Sequence, residues 1–592
     1  MEQVKRAENN DVILRRLFRK AEFSCAVSDL SKAIGPIIDL MFISLFIGTS
    51  GVTVMGYVAP LVMLFAIAGT CLSIGARNKV SPLLGAGKIN EANFAFTASV
   101  LLGGGAALFT AVAVVVFCPQ VSLILGARDP EISAMTTSYI LGYVVGLPFF
   151  ALTRILTPYL QMEGWYTLVS TISVLTTAID IAADAFVVFV LHGGMFEIAL
   201  ATSAGYIIPF FVGAAYFLRR KNSSVFRFSF KGATLKVCCE IARLGAPAGV
   251  VKGSNALGGM LINNMLTALH VPYLVAAYGV FAQIKVFVRS SWYAPADSLQ
   301  AFTGIFIGEE DRNSLKEVQK ISLTHALVYT SIVTAMLFVF APQLAGVFLK
   351  SNDPEALRMS AECIRVACFS VPFHAIVYNF SNYLTAVKRL RFASVYYFLI
   401  ECGIIVPVMF FLLNVMGYRG AWGSMVVNMS LLSVIAAAYV YMNGEGADFR
   451  DKMLLLPESF GVKPEDELVV IAGSTEEIHD LSHAAVAFAL EHGADMKRAN
   501  TYGLVTEELA IFLAEHGFND GLPHNINARL VAKGDELIIR MRDDCKPFNL
   551  TEYYRVLTES RQRDAGLSII MKMPEDVQYT NTLGTNTLII RM

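Results

Sequence analysis

Gly146–Leu160 reads GLPFFALTRILTPYL, and Ser370–Leu384 reads SVPFHAIVYNFSNYL. Pairing Pro148 with Pro372 and Tyr159 with Tyr383 sets an offset of 224 residues (372 − 148). The same offset carries Gly193 to Gly417, and one residue less carries Gly85 to Gly308. Self-similarity of this kind means that one fold is used twice. Each copy accommodates six apolar spans. Because six is even, both copies enter the membrane from the same side and are related by an axis along the membrane normal, an arrangement typical of secondary transporters. The expected fold is an all-α polytopic membrane protein with twelve transmembrane helices in two six-helix parallel repeats, followed by a C-terminal α+β soluble domain.

Composition points the same way. Of 592 residues, 55% are hydrophobic and 16% charged, and the mean hydropathy is +0.55, too apolar for a soluble chain of this size. The twelve spans fall near 24–48, 54–77, 92–117, 133–160, 166–191, 196–218, 244–268, 273–304, 317–342, 358–386, 393–415 and 418–442. The domain plan is a basic N-terminus (1–23), a first six-helix half (24–220), a linker (221–243), a second half (244–442), a second linker (443–463) and a tail domain (464–592). Lys and Arg cluster before the first span and after the second, sixth, eighth and tenth. The opposite loops hold little beyond Arg128, Lys350 and Arg419. By the positive-inside rule both termini are cytoplasmic. The basic N-terminus is not a cleavable signal, so the first span is expected to direct insertion. A net charge of −1 gives no reason to expect nucleic acid as a partner. The nine cysteines have no metal-ligand or disulfide spacing, so they are expected to be reduced.

The chemistry concentrates in Thr177–Val188, TAIDIAADAFVV. Asp180 and Asp184 are four apart, on one face of a helix that crosses the bilayer. A charge at the bilayer centre costs at least ~2.5–3.5 kcal/mol, so such residues face a cavity or a partner. Two on one face need a counter-ion or a shared proton. This predicts a cation or proton site. The alternative is that one Asp pairs with Arg154 or caps a helix break. The 224-residue offset carries Asp180 to Ile404, Asp184 to Val408, and Asp39 of the first span to Asn263. A structural role shared by both halves would be expected in both, whereas an ion site used once need not be. Asp39 also follows Pro36 by three residues, and a proline there can free a backbone carbonyl.

With these features in place, residues 24–442 resemble the multidrug and toxic compound extrusion family. Asp39 and Gly48 in IIDLMFISLFIG match its first-span pattern, and PLLGAGK (Pro82–Lys88) matches its glycine-rich loop. Asp180-x-x-x-Asp184 matches its Asn-x-x-x-Asp, and GGMFEIALATS, with Gly193 and Thr202, matches the start of its sixth span. The resemblance implies a secondary-active antiporter in the cell membrane, not an enzyme. It would export organic, cationic drugs or metabolites through a cleft between the halves, in exchange for H⁺ or Na⁺. The cation or proton site would be carried by Asp39, Asp180, Asp184 and Thr202, with no metal beyond a Na⁺ there and no required cofactor. Departures are Asp180 in place of Asn, Ser44 in place of a glycine, and no second-half carboxylates at the matching positions. Lys285, Arg289 and Asp297 in span eight either snorkel or pair internally, or they select an anionic group on the substrate. Glu401 and His374 read as satisfied interior groups.

In the tail, ELVVIAG (467–473) reads as a strand, STEEIHDLSHAAVAFALEHG as a capped amphipathic helix and NTYGLVTEELAIFLAEHG as a second helix. A hairpin turns near Lys533-Gly534, and NTLIIRM is the last strand. The tail resembles the ATP-binding fold of histidine kinases and anti-sigma-factor kinases. That likeness implies nucleotide-binding roles for Glu508, Asp543, Gly566 and Thr585, with Thr587 in the same final pattern. However, Phe512 stands where a Mg²⁺-holding Asn is usual, and Cys545 stands where a glycine is usual. A hard cation needs oxygen ligands, so the tail is expected to be inactive as a kinase or ATPase, with weak nucleotide binding or none. The expected partners are a small-molecule substrate and membrane lipid, with a cytoplasmic protein or a nucleotide at the tail. The alternatives are a lipid or polysaccharide exporter of the same superfamily, or a transporter-like sensor signalling through its tail.

Overall fold

The structure is a computed structural model that describes residues 2–219, 225–348, 353–518, 524–545, 549–559, 567 and 570–592. The first half comprises α1 (Glu2–Phe46), α2 (Thr49–Gly85), α3 (Ile89–Val116), a short α4 (Cys118–Ile124), α5 (Pro130–Met162), α6 (Tyr166–Phe186) with a π-helical extension (Val187–Leu191), and α7 (Met195–Leu218). The second half comprises α8 (Leu235–Ala268), α9 (Leu274–Val288), α10 (Ser290–Gly308), α11 (Arg312–Val339), α12 (Ala341–Phe348), α13 (Pro354–Ala367), α14 (Val371–Ala386), α15 (Leu390–Phe398), a π-helical turn (Leu399–Gly403), α16 (Ile405–Met416) and α17 (Arg419–Asn443). A short α18 (Phe449–Met453) leads to the tail.

Among the described residues, nine helical stretches are long and apolar enough to cross a membrane. The spans expected at 24–48, 244–268 and 273–304 are α1, α8 and α9 with α10, which are not among the nine. Each has a physical reason. α1 carries Asp29, Lys32 and Asp39, and α8 is rich in Gly and Asn and carries Lys252. The eighth span was expected to be continuous but is broken at Arg289. The tenth is interrupted by a 3₁₀ turn, Cys368–Ser370. Pro372 follows it, and that residue can neither donate to nor sterically tolerate the carbonyl four residues back.

The halves meet where α2 crosses α10. A Cβ on Gly85 would lie 1.9 Å from the Ile305 carbonyl oxygen, and one on Gly308 would lie 2.0 Å from that of Pro82. These are the two glycines that the repeat equates, and only residues without a side chain permit so close a backbone approach. Beside them, Arg77 donates to Asp297 at 2.7 Å and Gln300 donates to Asn78 at 3.0 Å. The loops after α2, α5, α7, α10 and α14 share this end with the N-terminal segment and the tail.

The tail comprises β1 (Glu467–Ala472), α19 (Thr475–Glu491), α20 (Met496–Gly517), β2 (Ile526–Lys533), β3 (Glu536–Asp543), α21 (Leu550–Glu559), β4 (Asp576–Thr582) and β5 (Thr585–Arg591). The strands form one antiparallel sheet in the order β1-β2-β3-β5-β4. The β2–β3 hairpin closes at the pair Lys533–Glu536 with Gly534 at φ 63°, so the turn is Gly534-Asp535, one residue beyond the expected place. Ser474 and Glu477 form a reciprocal cap on α19, the Glu477 amide donating to Ser474 Oγ and the Ser474 amide to Glu477 Oε2. Strand alternation turns Leu530 and Ile539 toward the helices, where they join Tyr502 and Leu509 in the core. It turns Arg529, Arg540 and Arg542 the other way, onto the loop after α10. The Glu309 carbonyl accepts from Arg529 at 3.0 Å and from Arg540 at 2.7 Å, and its carboxylate accepts from Arg542 at 2.5 Å. The β4–β5 turn meets the first half. The Leu583 amide donates to the Met162 carbonyl at 2.6 Å, and Gly164 lies so close to Gly584 that a Cβ would fall 2.0 Å from its nitrogen.

Candidate functional site

The three first-half carboxylates converge. Asp39 comes from α1, and Asp180 and Asp184 come from successive turns of α6. α1 is held along α6 by small polar contacts, Ser173 Oγ to Ser28 Oγ at 2.9 Å and Thr177 Oγ1 to the Ser31 carbonyl at 3.0 Å. Phe42 and Phe46 pack edge-on against Phe189. A donor oxygen from each Asp lies within 4.8 Å of the others. Asp184 is fully buried and the other two nearly so. Both oxygens of Asp184 and one each of Asp39 and Asp180 accept no hydrogen bond from the described residues. Thr202 of α7 is within hydrogen-bonding reach of Asp180.

Buried carboxylates this close cannot all be ionised without a cation or proton among them. Arg154 is not their counter-ion. It donates to Thr70 at 3.0 Å and lies over the Phe150 ring. Tyr139, Tyr143 and Tyr206 lie near the trio, and the sequence reading did not place them there. Tyr139 and Tyr143 on α5 and Tyr206 on α7 resemble ordinary core in the sequence. Gly35 also faces Asp180, where a Cβ would lie 3.6 Å from its Oδ2.

The second half holds no equivalent trio among its described residues. It lines a cleft of about 570 Å³, to which α2 of the first half adds Thr70 and Ile74. The span-eight charges resolve individually. Asp297 pairs with Arg77 of the first half. Arg289 pairs through two nitrogens with Asp29 of α1, Nε to Oδ2 at 3.0 Å. Lys285 lines the cleft, with no carboxylate among the described residues in ion-pair contact. Glu401 accepts from Asn255 at 2.7 Å and Tyr378 at 3.0 Å, and His374 shares a hydrogen bond with the Ser370 carbonyl at 2.8 Å. Both are satisfied polar groups that also line the cleft.

The arrangement resembles families of known membrane proteins along most of its length. Residues 25–186 and 247–411 match the family described as MatE. The chain belongs to that family. The multidrug export protein MepA of Staphylococcus saprophyticus is 22% identical over 418 residues, 70% of this chain and 91% of the relative. MepA of Staphylococcus aureus strain NCTC 8325 is 24% identical over 420 residues, again 70% and 91%. The fold matches that of the Vibrio cholerae MATE transporter VcmN in its bent form with a TM-score of 0.69, at 17% identity, over 76% of this chain and all of that one. This MatE protein is a multi-pass membrane transporter, not an enzyme.

The matched residues leave the tail outside the family. There, Asp543 accepts from Asn586 Nδ2 at 2.7 Å and from the Cys545 amide at 3.0 Å, and burial pushes its carboxyl up. Thr585 donates to the Thr582 carbonyl, and Thr587 is buried on the same strand. Asp543 and Thr585 line a gap of about 20 Å³ closed by Leu14, Leu17, Phe302 and Phe306, space for about one water. Glu508 lies half-buried on α20, and Phe512, one turn on, packs into the tail core. Gly566 lies outside the described residues.

Proposed function

We propose that this MatE protein is a secondary-active antiporter that exports small organic molecules in exchange for H⁺ or Na⁺. The observation that carries the reading is the buried trio Asp39, Asp180 and Asp184, four of whose six oxygens accept no hydrogen bond from the described residues. With Thr202 beside Asp180, these residues are the coupling site. The relatives named as multidrug export proteins support drug-like organic compounds as cargo, and do not favour a lipid or polysaccharide.

The geometry supplies a mechanism. α1 contributes Asp39 to the trio and, about three to four turns earlier, Asp29 and Cys25 to contacts with the second half. A cation entering between α1 and α6 relieves repulsion among the carboxylates and lets α1 settle against α6. Its exit restores that repulsion. A helix that touches both the ion site and the opposite half can convert ion occupancy into relative movement of the halves. In this reading twelve spans cross the plasma membrane in two six-helix parallel repeats. Both termini are cytoplasmic, and the halves are closed on the cytoplasmic side at the Gly85–Gly308 crossing. The shared location of the loops and termini supports that count.

The test is flux in vesicles containing the purified protein, with a pH gradient alone or a Na⁺ gradient alone. One gradient is expected to drive movement of a dye substrate and an ionophore to abolish it. Flux that persists with both gradients collapsed would refute antiport.

A further inference from the structure

We propose that the second-half cleft binds an organic anion: an aromatic compound bearing a carboxylate, sulfonate or phosphate. The proposal rests on the antiporter reading for its cargo role and on the cleft itself for its charge. Three cationic side chains line the cleft, Lys252 of α8, Lys285 of α9 and Arg289 at the break before α10, against one carboxylate, Glu401. Arg289 is already neutralised by Asp29, while Glu401, held by the neutral donors Asn255 and Tyr378, keeps its single negative charge. Lys252 and Lys285 remain. Among the described residues neither meets a carboxylate within ion-pair distance. The electrostatic neighbours of Lys252 are Arg289 and Arg154 and, against them, Glu401 and Asp29. With Asp29 committed to Arg289 and Arg154 donating to the neutral Thr70, cations outnumber carboxylates here. Like charges gathered in a low-dielectric wall make a positive field that concentrates anions and excludes organic cations.

Two further observations select an aromatic organic anion rather than a small inorganic ion. The volume, about 570 Å³, suits a drug-sized molecule. The cleft is also lined by Tyr278, Trp292, Tyr293 and Tyr378, with the Trp292 ring tilted against that of His374 at 4.7 Å between centroids. Aromatic faces give apolar area at little entropic cost, while their edges and hydroxyls leave polar handles. An anionic head between Lys252 and Lys285, with its ring among these side chains, satisfies both ends of the cleft. The carboxylate trio is a separate site, since none of its three residues lines this cleft. Anion and coupling cation would thus occupy different halves.

The test compares two dyes on the purified full-length protein, carboxyfluorescein as the anion and ethidium as the cation, by fluorescence anisotropy and by gradient-driven flux in vesicles. Carboxyfluorescein is expected to bind at least tenfold more tightly than ethidium. Lys252→Gln and Lys285→Gln should each weaken it about tenfold or more, and the double change to Glu should reverse the preference. Tighter binding of ethidium by the unmodified protein overturns the proposal, as does carboxyfluorescein binding that is unchanged in a folded double-Gln variant. Carboxyfluorescein that binds but is not moved by any ion gradient supports the anion site and refutes the antiporter reading. Gradient-driven ethidium flux without carboxyfluorescein binding does the opposite.

Discussion

Replacing Asp184 by Asn removes one charge from the carboxylate trio while keeping its size and one accepting oxygen. The three donor oxygens lie within 4.8 Å of one another. A cation centred among them sits roughly 2.8 Å from each, where one unit charge at an effective dielectric near ~20 is worth about 6 kcal/mol. Relaxation and penetrating water reduce that figure, but even a third of it weakens cation binding about 30-fold. The expected result is loss of Na⁺- or proton-stabilised thermal melting in purified protein, together with loss of gradient-driven efflux, at unchanged protein level. Asp39→Asn should behave alike. Asp180→Asn should retain part of the activity, because Thr202 remains beside it and an Asn is the residue that the family resemblance leads one to expect. Ile404→Asp and Val408→Asp should rescue neither loss, since the partner there is Asn263. Full efflux and unchanged cation affinity in Asp184→Asn at equal expression would refute the coupling site.

Other outcomes follow from packing and charge. Gly308→Ala places a Cβ 2.0 Å from the Pro82 carbonyl oxygen. It should destabilise the protein by about 1–3 kcal/mol through overpacking, and a melting temperature equal to that of the native protein would refute the close crossing. Glu309→Gln leaves Arg542 without its carboxylate and should weaken tail docking by about 2–3 kcal/mol. Faster proteolytic release of the tail would show this, and native resistance would refute it. Reporter fusions after Lys20, Lys231 and Met442 should all report the cytoplasm, and an external reading at Lys231 would break the six-plus-six arrangement.

Much of the site was legible because helical spacing is local information. Two Asp residues four apart must share a face, and the 224-residue offset marks their half as different from the other. That Asp39 joins them is a tertiary fact. It depends on α1 lying along α6, held by Ser28, Ser31, Ser173 and Thr177, contacts that no periodicity reveals. Lys252 and Lys285 could not be distinguished in sequence from snorkelling side chains, because snorkelling and cleft lining use the same residue types at the same depth. The break at Arg289 escaped for a related reason. The apolar run from 273 to 304 continues through it, and what Arg289 pairs with lies 260 residues away. In the tail, hydrophobic alternation located β2, β3 and β5, while β4, DVQYTNT, offered only Val577 and Tyr579 as an apolar face. It packs beside the loop after α2, where Gln578 lies against Gly87.

The tail rests on both halves at once: Leu583 and Gly584 on the loop after α5, and Arg529, Arg540 and Arg542 on the loop after α10. It spans them as a keystone spans two sides of an arch. Parting those loops must break one bearing or the other, so the keystone's seating energy adds directly to the preference for the loops being together. Thermodynamic reciprocity then runs in both directions. Anything that pulls the keystone free lowers the free-energy cost of parting by the same amount that parting lowers the keystone's hold. If the protein is the antiporter proposed above, ion occupancy of the first half and the seating of the tail are two readings of one equilibrium.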